Sequence, residues 1–222
     1  MYRSIGLNDL YFLLSATGWT ILLSLIAFVF GGLLAFGVAL MRISRLRILR
    51  VLAMGYIQMM QAIPLLILLL LAYYGVSAVG FNIGRLESAG ISLSFFTAAF
   101  LGEIWRGCIQ SVPKAQWEAA ESLGLSSTAR MFYVILPQAV RISMPPTVGF
   151  MVQVVKGTSL VSVLGIVELT RGGQMINNAT FKPFLVFGIV GAIYFLLCFP
   201  LSKLSRYLER RFNVGRRTVE GM

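Results

Sequence analysis

Five long apolar runs, separated by polar and basic stretches, organise this chain. The first extends from Trp19 to Met41, and the second from about Val51 to Tyr74 with Pro64 inside it. The third covers about Ile91 to Gln110 and carries Glu103 and Arg106. The fourth, Pro145 to Gly165, is less apolar and contains Gln153, Lys156, Thr158 and Ser159, while the fifth, Phe184 to Leu201, is uninterrupted. A bilayer-spanning helix needs about 20 apolar residues, so each run is long enough to cross. None of them alternates with period two, which excludes a transmembrane β-barrel. The first run is too long for a signal-peptide core and has no small-residue cleavage site after it, which predicts a retained span. Ahead of it, Leu7, Leu10, Tyr11 and Leu14 flank Asn8 and Asp9. That spacing predicts an amphipathic helix lying at the outer surface before the first span.

Composition agrees with an all-α polytopic membrane protein. Of the 222 residues, 58% are hydrophobic and only 12% charged, against about 25% charged in soluble domains. Disorder is excluded on the same ground, because it requires low hydrophobicity. Five spans use roughly 100 residues, which leaves loops but no second soluble domain. Residues 1–222 therefore read as a single transmembrane domain.

The net charge of +11 then sets an orientation. Thirteen Lys and Arg fall between spans one and two, between three and four, or after five, against four on the opposite side. Basic residues concentrate on cytoplasmic loops, so the C-terminus is expected in the cytoplasm and the N-terminus outside. In this setting the basic excess, including the tail after Arg206, is a topology signal near anionic lipid and not a nucleic-acid patch. Histidine is absent, and the two cysteines, Cys108 and Cys198, lie inside apolar segments. A disulfide framework, a zinc site and a histidine acid are thereby excluded, and the cysteines read as small buried apolar residues.

The segment between the third and fourth spans, about 111–144, carries more information than a connecting loop needs. Pro113 can open a helix, and Ala115 to Leu123 is rich in helix formers. Gly124 stops it in the manner of a C′ glycine. Ser126 or Ser127 can cap a second helix, Thr128 to Ile135, which Pro137 ends. The outcome is a compact helical knob, either packed on the bundle or presented to a partner on the cytoplasmic side.

Glu118-Ala119-Ala120, then Gly124, then Val134-Ile135-Leu136-Pro137 resembles the EAA loop of ATP-binding-cassette (ABC) importer permeases. Arg106 to Lys114, Leu136-Pro137-Gln138-Ala139, Lys156-Gly157-Thr158-Ser159-Leu160 and Glu168-Leu169-Thr170 extend the resemblance to the polar amino acid uptake family. It covers nearly the whole chain and is strongest from about Phe96 to Thr170. Five positions depart from that pattern, and the mildest is Val134, where Ile is usual. Gln58 and Gln61 stand where an acid and a base are frequent, Gly149 replaces an Asn, and Gly157 replaces an Asp.

The resemblance implies a type I importer fold in the bacterial cytoplasmic (inner) membrane, one permease half of a pair. It implies a homologous or identical second half, an ABC ATPase dimer docked at the knob, and an extracytoplasmic solute-binding protein delivering polar amino acids or their derivatives. Glu118, Ala119, Ala120, Glu121, Leu123, Gly124 and Pro137 become the coupling residues. Glu118 and Glu121 share a helix face, and Ala119, Ala120 and Leu123 offer a small apolar surface. The sequence contains no GxxxxGK[ST] phosphate loop, so ATP and Mg belong to the partner ATPase and no cofactor is expected on this chain.

Intramembrane polar residues are costly and suggest a transport path. Glu103, Arg106, Lys156, Thr158, Ser159, Gln58, Gln61 and Gln153 are the candidates, with a static interior network as the alternative for the charged ones. Glycines 149 and 157 and prolines 145 and 146 make the fourth span the expected broken helix, while Pro64 is expected only to kink the second. In the outer loops, Asn82, Arg85, Glu87, Glu168, Arg171 and Lys182 are available to meet a delivery protein. Rival readings are an ATPase-independent channel or secondary transporter, a membrane enzyme, and a non-transporting scaffold. The enzyme reading lacks a nucleophile with a nearby base or a metal set.

Overall fold

The computed structural model describes residues 5–213. Among them the chain forms eight helical segments and no strand. They are α1 (Leu7–Ile43), α2 (Arg47–Ala62), α3 (Leu65–Ala78), α4 (Arg85–Gln110), α5 (Lys114–Ser122), α6 (Ser127–Leu164), α7 (Leu169–Thr180) and α8 (Pro183–Asn213). Among the described residues α1, α4, α6 and α8 are long and apolar enough to cross a bilayer. Helices α2 and α3 make a fifth crossing if their bent pair counts as one.

Helix α1 is a single rod of 37 residues, about 55 Å long at 1.5 Å per residue. The expected surface helix before the first span is the beginning of this rod. Leu7, Tyr11 and Leu14 point outward, whereas Asp9, Leu13 and Ala16 are buried. Leu13 joins Ile176 of α7 and Val186 of α8 in a small cluster, so that packing, not a membrane surface, sets the inward face. Asp9 accepts a hydrogen bond from the Gly6 N–H at 2.9 Å, which satisfies one free donor at the helix start.

The main core lies along α1 and α4. Leu23, Ala27, Ala35, Leu93, Ala98 and Leu101 are fully buried there, joined by Leu69 of α3 and Val161 of α6. Small residues let the two backbones approach. A Cβ placed on Gly31 would lie 2.6 Å from the Thr97 Cβ, and one on Gly102 would lie 2.8 Å from a Val38 methyl. Close contact of this kind replaces the hydrophobic drive that lipid removes.

The second apolar run behaves differently from expectation. Helix α2 stops at Ala62, Ile63 and Pro64 are extended, and α3 leaves at 103° to α2. This is an elbow, far sharper than the kink expected from Pro64. The fourth run is the opposite case. Its prolines 145 and 146 sit inside continuous helix, and the chain tightens to a 3₁₀ stretch only at Thr158–Leu164. At the prolines the neighbouring α8 is in contact, where Ser205 donates its hydroxyl to the Pro145 carbonyl at 2.8 Å. Pro137 does not end a helix either. A wide turn of i→i+5 type over Arg130–Ile135 precedes it, which makes room for a ring that would clash with the carbonyl four residues back.

Candidate functional site

The knob is built from α5 and the first turns of α6. Pro113 is the N-cap of α5. At the other end the N–H of Leu125 reaches the Ala120 carbonyl at 3.3 Å and that of Gly124 the Glu121 carbonyl at 2.9 Å. This is the paired C-terminal closure that needs a left-handed residue, and Gly124 has φ +74°. Ser126 then caps α6, its Oγ accepting from the Ala129 N–H at 3.3 Å.

Three contacts brace the knob. Ile109, Val112, Ile135 and Ala139 form a small core with Trp117 and Ile43, tying it to the ends of α4 and α1. Glu121 pairs with Arg130 at 2.8 Å, and that guanidinium lies 5.8 Å from the centre of the Trp117 ring. Gln138 donates to the Gln116 side chain at 3.2 Å.

Not all the proposed coupling residues face outward. Glu118, Ala119, Glu121, Leu123, Gly124 and Pro137 are exposed, but Ala120 is only 3% exposed and packs against the chain itself. Phe132 and Tyr133 are further exposed apolar residues of the knob, and Leu123 is 79% exposed. Sequence reasoning missed these two aromatics because they sit in what read as an ordinary helix.

The candidate path residues fall into three groups. Glu103 and Arg106 do pair, through two hydrogen bonds of 2.5 and 2.9 Å. Their third member, Arg42, lies 3.5 Å from Glu103 and had counted only as a loop charge. Arg42 is in the last turn of α1, so Glu103 sits near the end of the bundle and not deep inside it. Lys156 is not its partner and makes no ion pair among the described residues.

The second group is at the elbow. Gln58 and Gln61 occupy the last exposed turn of α2. Immediately beyond the elbow, Leu65 touches Gly157, where an added Cβ would meet a Leu65 methyl at 3.2 Å. Next to Gly157, Thr158 is fully buried and donates to the Val155 carbonyl, while Ser159 donates to the Lys156 carbonyl. The third group lines a groove of about 680 Å³ between α6 and α8, with Gln153 and Lys156 facing Tyr194, Cys198 and Arg206.

One outer-loop residue is removed from the exposed set. Glu168 is 0% exposed. Its carboxylate caps α7, accepting from the N–H groups of Thr170 and Arg171 at 2.9 and 2.8 Å and from the Tyr194 hydroxyl at 3.1 Å. Burial pushes its pKa above the ordinary carboxylate value, against the pull of those donors.

The site is thus a bundle of long apolar helices with a braced helical knob between two of them. The chain belongs to the family described as binding-protein-dependent transport system inner membrane component, which it matches over residues 27–214. It is 38% identical over 196 residues to the L-cystine transport system permease protein TcyB of Bacillus subtilis, covering 88% of this chain and 84% of that one. It is 36% identical over 219 residues to the nopaline transport system permease protein NocM of Agrobacterium fabrum, covering 94% and 91%. Among solved structures, that of an amino acid ABC transporter with histidines superposes with a TM-score of 0.87 at 32% identity. It covers 94% of this chain and all of that one. The methionine transporter MetNI in an inward-facing form shares the fold alone, with a TM-score of 0.79 at 18% identity over 94% of this chain and 99% of that one.

Proposed function

We propose that this chain is the transmembrane permease subunit of an ABC importer for polar amino acids or their derivatives. The observation that carries the reading is the knob: α5 is braced rigidly to the ends of α1 and α4, yet leaves Glu118, Ala119 and Leu123 exposed. A rigid lever with an unfilled outer face suits transmission of force from a separate ATPase dimer, which would bind ATP and Mg. The chain itself carries no cofactor in this reading.

A second permease half, homologous or identical, completes the pore. An extracytoplasmic solute-binding protein delivers substrate, with Asn82, Arg85 and Glu87 exposed and available to it. The groove holding Gln153 and Lys156, together with the elbow at Gln58 and Gln61, supplies polar groups for the path. The charge asymmetry supports an inner-membrane topology with the N-terminus outside and the knob in the cytoplasm.

The test is expression of the whole operonic complex followed by affinity capture of this chain. Co-purification of an ATPase subunit and loss of uptake without it support the proposal. Uptake by the chain without any ATPase overturns it in favour of a channel or secondary transporter. Topology is read separately in a cysteine-free background. Cysteine placed at Asn82 reacts with an impermeant thiol reagent added outside intact cells, and cysteine at Ser127 does not.

A further inference from the structure

A basic pocket of about 720 Å³ opens between the α1–α2 link and the knob. Arg42, Arg45, Arg50 and Arg130 line it, and no Asp or Glu does. Two of these charges are already balanced, Arg42 by Glu103 at 3.5 Å and Arg130 by Glu121 at 2.8 Å. Arg45 and Arg50 have no carboxylate partner among the described residues, and Arg45 donates only to the Ser127 hydroxyl. A guanidinium without a carboxylate partner keeps donors to spare, and a phosphate supplies several acceptors at once.

The surroundings point to a lipid as the source of that phosphate. Arg42 directly follows the apolar run that ends at Met41, so the pocket lies at the bilayer boundary. Ile109 is a wall both of this pocket and of an apolar groove of about 420 Å³ that Phe36, Leu40, Trp105 and Val140 line. Near the pocket, the start of α2 exposes Leu46, Ile48, Val51 and Leu52 beside Arg50. Basic residues interleaved with exposed apolar ones suit the headgroup zone, where each side chain finds its own solvent.

We propose that this pocket seats one anionic phospholipid of the leaflet it borders, held through its phosphate by Arg45 and Arg50, with an acyl chain against the neighbouring apolar groove. The site is separate from the groove at Lys156 and from the outer face of α5.

The full-length chain, purified in neutral detergent and stripped of lipid, is titrated with phosphatidylglycerol, phosphatidylcholine and inorganic phosphate, and bound molecules are counted by native mass spectrometry. Wild type retains one phosphatidylglycerol in preference to phosphatidylcholine. Changing Arg45→Gln with Arg50→Gln lowers that preference about ten-fold, whereas Arg45→Lys with Arg50→Lys keeps it and separates binding from folding. Arg47→Gln, outside the pocket lining, leaves it unchanged. Four results overturn the proposal. They are equal retention of the two lipids, displacement of phosphatidylglycerol by millimolar phosphate, an equal drop with Arg47→Gln, and expulsion of the lipid when ATPase subunits join the complex. The last of these would make the pocket a protein interface.

Discussion

Glycine does opposite work in the α1–α4 seam and in the α6–α8 groove. In the seam, Gly31 and Gly102 let two helices touch so closely that any Cβ would collide with the facing helix at 2.6 to 2.8 Å. In the groove, a Cβ on Gly149 would meet only the Ser205 hydroxyl at 3.3 Å, and one on Gly191 would meet nothing within 4 Å. One set removes space and the other leaves it. The seam is a dry frame of fully buried Ala, Leu and Thr. The groove is open and bears Gln153, Lys156 and Arg206. A transporter needs both: helices that keep their register while others move, and polar surface whose exposure can change.

The strongest way to break this contrast is to put one side chain in both places. Gly31→Leu overpacks the seam and lowers stability by about 3 kcal/mol, read as early melting and poor insertion. Gly191→Leu leaves the melt at its wild-type value and slows transport. Equal melting of the two variants would erase the distinction.

Glu103→Gln acts at the end of the seam, where Arg42 and Arg106 converge on one carboxylate. Removing the charge leaves two guanidinium groups facing each other. With these side chains 18–31% exposed, the cost is discounted from the 3–5 kcal/mol of a fully buried pair to about 2 kcal/mol. The expected result is a lower melting temperature with transport per folded complex retained. Normal melting with lost substrate-stimulated ATP hydrolysis would instead move Glu103 to the transport path.

Gly124→Asp perturbs neither seam nor groove. A side chain at φ +74° costs about 1 kcal/mol, too little to unfold the bundle. ATP-dependent uptake is nonetheless expected to vanish while the chain inserts normally. Full uptake by an assembled Gly124→Asp complex would remove the knob from the coupling path.

The smallest effect concerns selectivity. Gln58 and Gln61 are neutral at the elbow, and Lys156 and Arg206 are cations of the groove. Uptake should be competed best by neutral polar or zwitterionic amino acids. Strongest competition by arginine or lysine would count against this assignment.

Much of the knob was legible from residues alone. Pro113, Gly124 and Ser126 act locally, through a missing donor, a permitted left-handed turn and a short side-chain oxygen, and each sits where its chemistry requires. The elbow was not legible in the same way. Proline at position 64 reports a missing N–H, but the 103° angle depends on packing such as that of Leu65 against Gly157, 92 positions away in the chain. The paired prolines in α6 misled in the other direction, because the helix runs on through them, with Ser205 of α8 against the Pro145 carbonyl. Glu121 and Arg130 are nine residues apart, a spacing with no helical meaning, so their bond awaited the folded knob.

Hydropathy, charge asymmetry and loop motifs are sums and patterns along the chain. By themselves they determined a helical membrane protein, the number of apolar runs, the place of the knob and the family resemblance. Which run breaks, which carboxylate is buried and which charge meets which were decided only by tertiary structure. Glu168 shows why. In sequence it is a loop acid like Glu87, and only the meeting of α7 with Tyr194 of α8 turns it into a buried cap with 0% exposure. Burial and pairing depend on residues distant in the chain arriving together, and no local sum carries that information.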